Sequence, residues 1–344
     1  MANCLFYSGF ARVLNFFVNR VRVRSAEQGK GKRFVLRQKR EQNVQILTYH
    51  RVNDERDPFF PATPIRMFTR QLEFLSSHFA MWSLEHAVEG LTKKDLPENV
   101  VVLTFDDGYA DNYAYAFPIL QAYQAPATVF LATDVIGTER TLWHDRVFVA
   151  FRETRAPRLD LGETAKSVHP YPLTTREEKV IALTCVLGFL RTLGDEQRDY
   201  WIDRLVALLA VDQPQRQPRL MLTWEEVMTM SAAGISFGSH TCSHPILANL
   251  SAARMREEIC ESQKKIEHYL RKPVTTFAYP NGKSSDFTDT TKAILREAGF
   301  TCAVTTVFGN NEIGQDLFAL QRGGAWEEHL ATFAVKMSWY KLGM

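Results

Sequence analysis

The sequence predicts an α/β protein, and three observations carry that expectation. Short runs rich in β-branched and aromatic residues recur, as in Val100-Val101-Val102-Leu103-Thr104-Phe105, Ala127-Thr128-Val129-Phe130-Leu131-Ala132 and Ile235-Ser236-Phe237-Gly238-Ser239, and such runs read as buried strands. Stretches with apolar residues at helical spacing separate them. Residues able to do chemistry follow directly on two of the strands: Asp106-Asp107-Gly108 after the first and His240-Thr241-Cys242-Ser243-His244-Pro245 after the third.

Taken in order, the chain begins with a basic extension. Residues 1–40 hold ten lysines and arginines against the single acid Glu27, whereas the whole chain has a net charge of only +2. Leu5, Phe6, Phe10, Val13, Leu14, Phe17 and Val21 recur near helical spacing. They form either a helix packed on the domain or an interfacial helix, with residues 1–25 drawn to anionic lipid. A Gly-, Lys-, Arg- and Gln-rich stretch over 28–42 marks the boundary, giving an extension over 1–43 and a domain over 44–344. The domain opens with a strand over 44–52, a helix over 67–79, a short strand over 81–84 and a helical turn over 85–90. After the acid pair, a helix is expected over 111–124, with Pro118 kinking it or shifting its start. The strand over 127–132 follows.

The rhythm then breaks. Residues 138–218 carry helical signals at 177–193 and 197–209, an insertion or lid that opens with Thr141-Leu142-Trp143-His144-Asp145 and closes in a proline-bounded loop over 213–218. Regularity returns with Thr223-Trp224-Glu225-Glu226, a capping box. The strand over 235–239, a helix capped by Ser251 and ending near 270, a strand over 274–279, a helix over 288–298 and a strand over 300–305 come next. A last strand over 318–322 and an amphipathic helix over 327–340 end the chain.

Two adjacent carboxylates at a Gly-assisted turn diverge, so one acid can bind a metal while its neighbour handles a proton. Two imidazoles at i and i+4 can share an ion, and Pro245 disfavours helix at His244, so a loop or single turn is expected there. One carboxylate and two histidines leave an open position for water, the catalytic zinc pattern.

Thr104-Phe105-Asp106-Asp107-Gly108 resembles the first motif of the polysaccharide deacetylases (carbohydrate esterase family four, the NodB-homology domain), and His240-Thr241-Cys242-Ser243-His244 resembles their second, H-[ST]-x-x-H. The resemblance spans roughly residues 44–325 and is closest to the exopolysaccharide-type branch. It implies a distorted (β/α)7 barrel with the helical insertion set into it. It also implies a divalent metal, Zn²⁺ before Co²⁺, Ni²⁺ or Mn²⁺, on Asp107, His240 and His244, with Asp106 as base for a metal-activated water that attacks an acetamide. Val44-Gln45-Ile46-Leu47-Thr48-Tyr49-His50-Arg51 is similar to the opening strand of exopolysaccharide deacetylases. Strand ends carry the chemistry in such barrels, so His50 is either a pocket residue or a histidine bonded to nearby backbone. Trp143 either walls the sugar groove or anchors the insertion.

Two family features are missing. The third motif usually places an arginine two residues before its proline; Phe277-Ala278-Tyr279-Pro280-Asn281-Gly282 has none. Arg322, late in the chain, is the candidate replacement beside Asp106, and the Asn281 amide, next to Tyr279, is the candidate oxyanion donor. The final leucine-x-histidine motif has no clear counterpart, which leaves His50, His144 and His329 as candidate acids.

The implied activity is removal of N-acetyl groups from a polysaccharide or lipid-linked sugar. The alternatives are a non-catalytic carbohydrate-binding protein on the same fold and an O-deacetylase. The near-neutral charge argues against nucleic acid as a partner. Cys4, Cys185, Cys242, Cys260 and Cys302 form no C-x-x-C and are odd in number, so a reducing compartment is expected: the cytoplasm or its membrane face.

Overall fold

The computed structural model describes residues 42–162, 170–210 and 219–341. The N-terminal stretch with its expected apolar helix, and the loop expected over 213–218, lie outside those residues. In chain order, β1 (Asn43–Tyr49) leads to α1 (Ile65–His78), β2 (Ala80–Trp82), α2 (Leu84–Lys93) and β3 (Val100–Phe105). A π-helical turn (Asn112–Ala116) runs into α3 (Phe117–Ala122) and β4 (Ala127–Leu131). The segment that breaks the rhythm holds α4 (Trp143–Glu153), the short pair β5 (Arg158–Leu159) and β6 (Tyr171–Pro172), α5 (Arg176–Leu190) and α6 (Asp195–Leu208). Alternation resumes with α7 (Trp224–Ala232), β7 (Ser236–Ser239), α8 (Ala252–Leu270), β8 (Thr276–Ala278), α9 (Asp289–Glu297) and β9 (Cys302–Val304). The described chain closes with β10 (Asn311–Glu312), β11 (Gly323–Gly324) and α10 (Leu330–Lys341).

The main sheet runs β10-β1-β3-β4-β7-β8-β9, with β2 also on β3 and β11 also on β1. Every pairing in it is parallel except that of β10. Leu320 bridges Val304 while β11 pairs with β1, so the far edge curls back toward the first strand. This is the distorted β/α barrel expected from the sequence.

Strands buried on both faces read as unbroken apolar runs, and β3 is buried throughout. Its parity still divides it. Val101, Leu103 and Phe105 pack with Phe68, Leu72 and Leu75 of α1, whereas Val100 and Val102 pack with Val44, Ile46, Phe130, Ala278 and Val304. Continuing the second parity puts Thr104 and Asp106 on the inner side.

The inserted helices pack around a second apolar cluster, which Phe59 and Phe60 from the β1–α1 connection join, with Trp143, Val147 and Phe151 of α4 against Leu183, Val186 and Leu187 of α5 and Ile202 and Leu205 of α6.

Among the differences from expectation, two change the kind of an expected element. The helix over 111–124 starts as a π turn in which Phe117 N donates to Asn112 O, and only then becomes α-helical. Pro118 has no N–H to give and sits at the start of α3, where that loss is harmless. The strand expected over 318–322 is instead a 3₁₀ turn at Leu317–Ala319, stabilised where Asp316 Oδ1 accepts from Phe318 N at 2.9 Å, and the pairing moves on to Gly323–Gly324.

Candidate metal centre

Backbone geometry at the end of β3 separates the two acids. Asp106 N donates to Tyr49 O at 3.0 Å, which holds it in the sheet. Asp107 then takes φ 75° and Gly108 φ 84°. The left-handed conformation costs a non-glycine residue free energy and recurs at functional sites. At 108 a side chain is also excluded by space, since a Cβ would come within 2.8 Å of Leu131 and Ile136.

The end of β7 supplies the imidazoles. His240 N donates to Leu131 O, and the chain then turns through Thr241 (φ 68°) to His244 (φ 60°). This is a loop, as Pro245 requires. It is clamped from below by Glu258 of α8, whose fully buried carboxylate accepts from Cys242 N at 2.8 Å, Ser243 N at 2.9 Å and Ser243 Oγ at 2.8 Å. Arg254 balances its charge at 2.7 Å. The sequence reading missed Glu258. Its signal was an acid on the inward stripe Met255, Ile259, Ser262, Ile266 of α8.

Asp107, His240 and His244 converge, all buried, with their ligand atoms within 4.8 Å of one another. Asp107 Oδ1 lies 3.5 Å from His240 Nε2 and 3.4 Å from His244 Nε2, and makes no hydrogen bond. Ligands about 2.1 Å from a tetrahedral ion stand about 3.4 Å apart, so these separations fit a shared cation better than direct bonding. His240 Nδ1 is 2.7 Å from the Ala278 carbonyl. A carbonyl only accepts, so Nδ1 carries a proton and Nε2 is the atom turned toward a metal. Burial lowers the His240 pKa, but Asp107 and Asp106 outweigh it and raise it, so an ion there would have to displace a proton. Burial by itself would raise the Asp107 pKa, but His240 beside it outweighs burial and holds the group as a carboxylate. Burial pushes His244 down, keeping it neutral.

Asp106 faces Arg322. The guanidinium meets both carboxylate oxygens at 2.7 Å, and it also donates to Thr104 Oγ1 at 3.0 Å and Thr305 O at 2.7 Å. Arg322 is 1% exposed. Burial pushes the Asp106 pKa up, and Arg322, then His240, pull it below its ordinary value. Arg322, placed immediately before β11, thus supplies the charge missing at Ala278, in the place the sequence offered it.

The remaining candidates divide. His50 follows β1, half-buried, with its carbonyl accepting from Asn112 Nδ2 at 2.8 Å. Asn281 takes φ 58°, and its buried Nδ2 makes no hydrogen bond. Tyr279 does not reach the site: it is fully buried, donates its hydroxyl to Phe318 O at 2.8 Å and stacks on Phe287. Strand parity turns it away from the inner side.

Trp143 is an anchor. It is 6% exposed, donates Nε1 to His244 O at 3.0 Å and lies under Arg198. His144 lies against the His244 ring, but its Nε2 is 3.2 Å from the Tyr109 hydroxyl, which donates to buried Asp145 at 2.9 Å. His329 is exposed just before α10.

The family model for polysaccharide deacetylase matches residues 93–303. The putative polysaccharide deacetylase YxkH of Bacillus subtilis (strain 168) is 23% identical over 279 residues, 80% of this chain and 69% of that protein. The poly-beta-1,6-N-acetyl-D-glucosamine N-deacetylase of Escherichia coli (strain K12) is 37% identical over 91 residues, 24% of this chain but 12% of that enzyme. Among solved structures, the Streptococcus pyogenes deacetylase PplD in complex with acetate shares the fold, with a TM-score of 0.57 at 20% identity, covering 86% of this chain and 97% of that one.

Proposed function

The chain belongs to the polysaccharide deacetylase family, and from that premise we propose that it is a metal-dependent hydrolase removing N-acetyl groups from a poly-N-acetylglucosamine-type glycan or its lipid-linked precursor. The carrying observation is the unpartnered Asp107 Oδ1 set 3.4–3.5 Å from two imidazole nitrogens, with a second carboxylate, Asp106, held ionised alongside. The substrate class leans on the Escherichia coli relative, whose name gives it that polymer.

Asp107, His240 and His244 would hold a divalent ion, with zinc favoured by the donor set. Such an ion polarises an amide carbonyl and lowers the pKa of a bound water toward neutrality. Asp106, fixed by Arg322, takes the proton of the attacking water. The Asn281 amide meets the oxygen that becomes negative as the carbonyl carbon turns tetrahedral. His50, at the end of β1, is the candidate donor to the departing amine, because His144 is engaged with Tyr109 and His329 is exposed just before α10.

The test is acetate release from β-1,6-linked N-acetylglucosamine oligomers. Release is expected to vanish with a chelator and return with Zn²⁺. Asp106→Asn should lower kcat by about 10²-fold or more while the protein still binds metal. Activity that survives full metal removal would sink the reading. Faster release from O-acetylated than from N-acetylated oligomers would redirect it to O-deacetylation.

A further inference from the structure

Beside the candidate centre lie two of the most exposed large apolar side chains among the described residues. Trp326 is 66% exposed and Phe308 59%. Each follows the C-terminal end of a barrel strand, the face where such folds place their chemistry.

Register locates Trp326. Leu47 pairs with Gly323 and Thr48 with Gly324, and Ala325 N donates to Thr48 O at 3.2 Å. Extending the same alignment two residues past Thr48–Gly324 brings Trp326 opposite His50, at the end of both strands. Phe308 follows β9 in a loop tied to both sides of the centre. Arg322 N donates to Val307 O at 2.9 Å, and Thr306 Oγ1 donates to Asn281 O at 2.6 Å. The two aromatics therefore extend the same rim that carries His50 and Asn281, above the buried Arg322.

They are also held as a pair. Lys336 of α10 sits 5.9 Å from the Phe308 ring centroid and 6.0 Å from that of Trp326, within reach of a cation–π contact with each. Its ammonium is fixed by Gly324 O and Glu327 Oε1. The indole folds back over the strand: a Cβ at Gly324 would lie 1.9–2.2 Å from the Trp326 ring carbons. Gly324 has no unusual φ, so a side chain there would conflict with the indole and not with the backbone conformation. One face of the indole thus rests on β11, while most of the ring remains open to solvent.

We infer that Trp326 and Phe308 form an aromatic shelf on which sugar rings neighbouring the reacting residue stack. The inference rests on the glycan-deacetylase reading above and deepens it by adding an extended binding subsite. The apolar C–H face of a pyranose packs on a flat ring without needing hydrogen bonds, and rigid aromatics lose little entropy on binding. A shelf beside the centre holds a chain, so its contribution grows with glycan length and acts on binding more than on turnover.

The experiment uses the full chain and β-1,6-linked N-acetylglucosamine, as monomer and pentamer. Trp326→Ala and Phe308→Ala should each raise KM for the pentamer about five- to tenfold, with kcat within about twofold and little change for the monomer. Gly324→Ala, which leaves both rings in the sequence but displaces the indole, should reproduce the Trp326→Ala effect. Tyr200→Ala, an aromatic 60% exposed on α6, is the control and should change nothing. Pentamer KM unchanged in both aromatic variants, or a fall in kcat at constant KM, overturns the shelf. Pentamer binding, followed by tryptophan fluorescence, separates this failure from that of the functional reading. Binding weakened by Phe308→Ala without acetate release in the wild type would keep the shelf and refute the deacetylase. Acetate release with KM indifferent to both rings would do the reverse.

Discussion

Arg322 and Asp106 form the pair on which the candidate base depends. Both are buried, and each charge leaves water only because the other is present. Arg322→Ala would leave a carboxylate in the barrel interior without its counter-charge, at a cost of about 3–5 kcal/mol of stability. Denaturant unfolding at pH 7 would read that loss. The folded-state pKa of Asp106 lies below its unfolded value. Its stabilising contribution is therefore present above about pH 4 and fades as pH falls through the lower folded-state value. The gap between wild type and variant should narrow below about pH 4; a gap constant down to pH 2 would mean that the pair contributes packing rather than charge.

At the scale of elements, the histidine loop is shaped by a helix that holds none of the ligands. Glu258 accepts two backbone N–H groups and a hydroxyl from residues 242 and 243, between the two imidazoles. Glu258→Gln keeps the volume but loses the charge that Arg254 and those donors stabilise. Support of this kind typically accounts for about 10–100-fold in metal affinity. Zinc competition against a chromophoric chelator should show a loss of that order, with the melting temperature falling by only a few degrees. Unchanged affinity would mean that β7 alone orients His240 and His244. β7 is itself tightly fitted, because a Cβ at Gly238 would come within 2.5 Å of the Phe130 ring.

At the scale of the molecule, the inserted helices pack around the second apolar cluster and still touch the centre through Trp143 on the His244 carbonyl. Asn249 adds bonds to the carbonyls of Arg191 and Leu193 at 3.1–3.2 Å. No helix among the described residues is long and apolar enough to cross a membrane. Ten basic residues in the first forty, against a whole-chain charge of +2, make the rest of the chain net acidic. On that asymmetry the full chain is expected to bind anionic vesicles, to release them as salt rises, and to ignore zwitterionic ones. Salt-independent binding, or none, would count against a lipid-facing extension. Local patterning was enough for much of the rest. Apolar runs and capping residues specified the strands and helices, and the two motifs named Asp106, Asp107, His240 and His244, because strand parity and turn chemistry act over a few neighbours. It was not enough for contacts between distant segments. The missing arginine pointed to Arg322 beside Asp106 and left Trp143 as wall or anchor, but the pairing itself, the choice of anchor, the hold of Glu258 on the histidine loop and the turning of Tyr279 into the core were decided only when the sheet curled. Each depends on the register between strands far apart in the chain, and the pattern within any one strand carries no information about its partner's alignment.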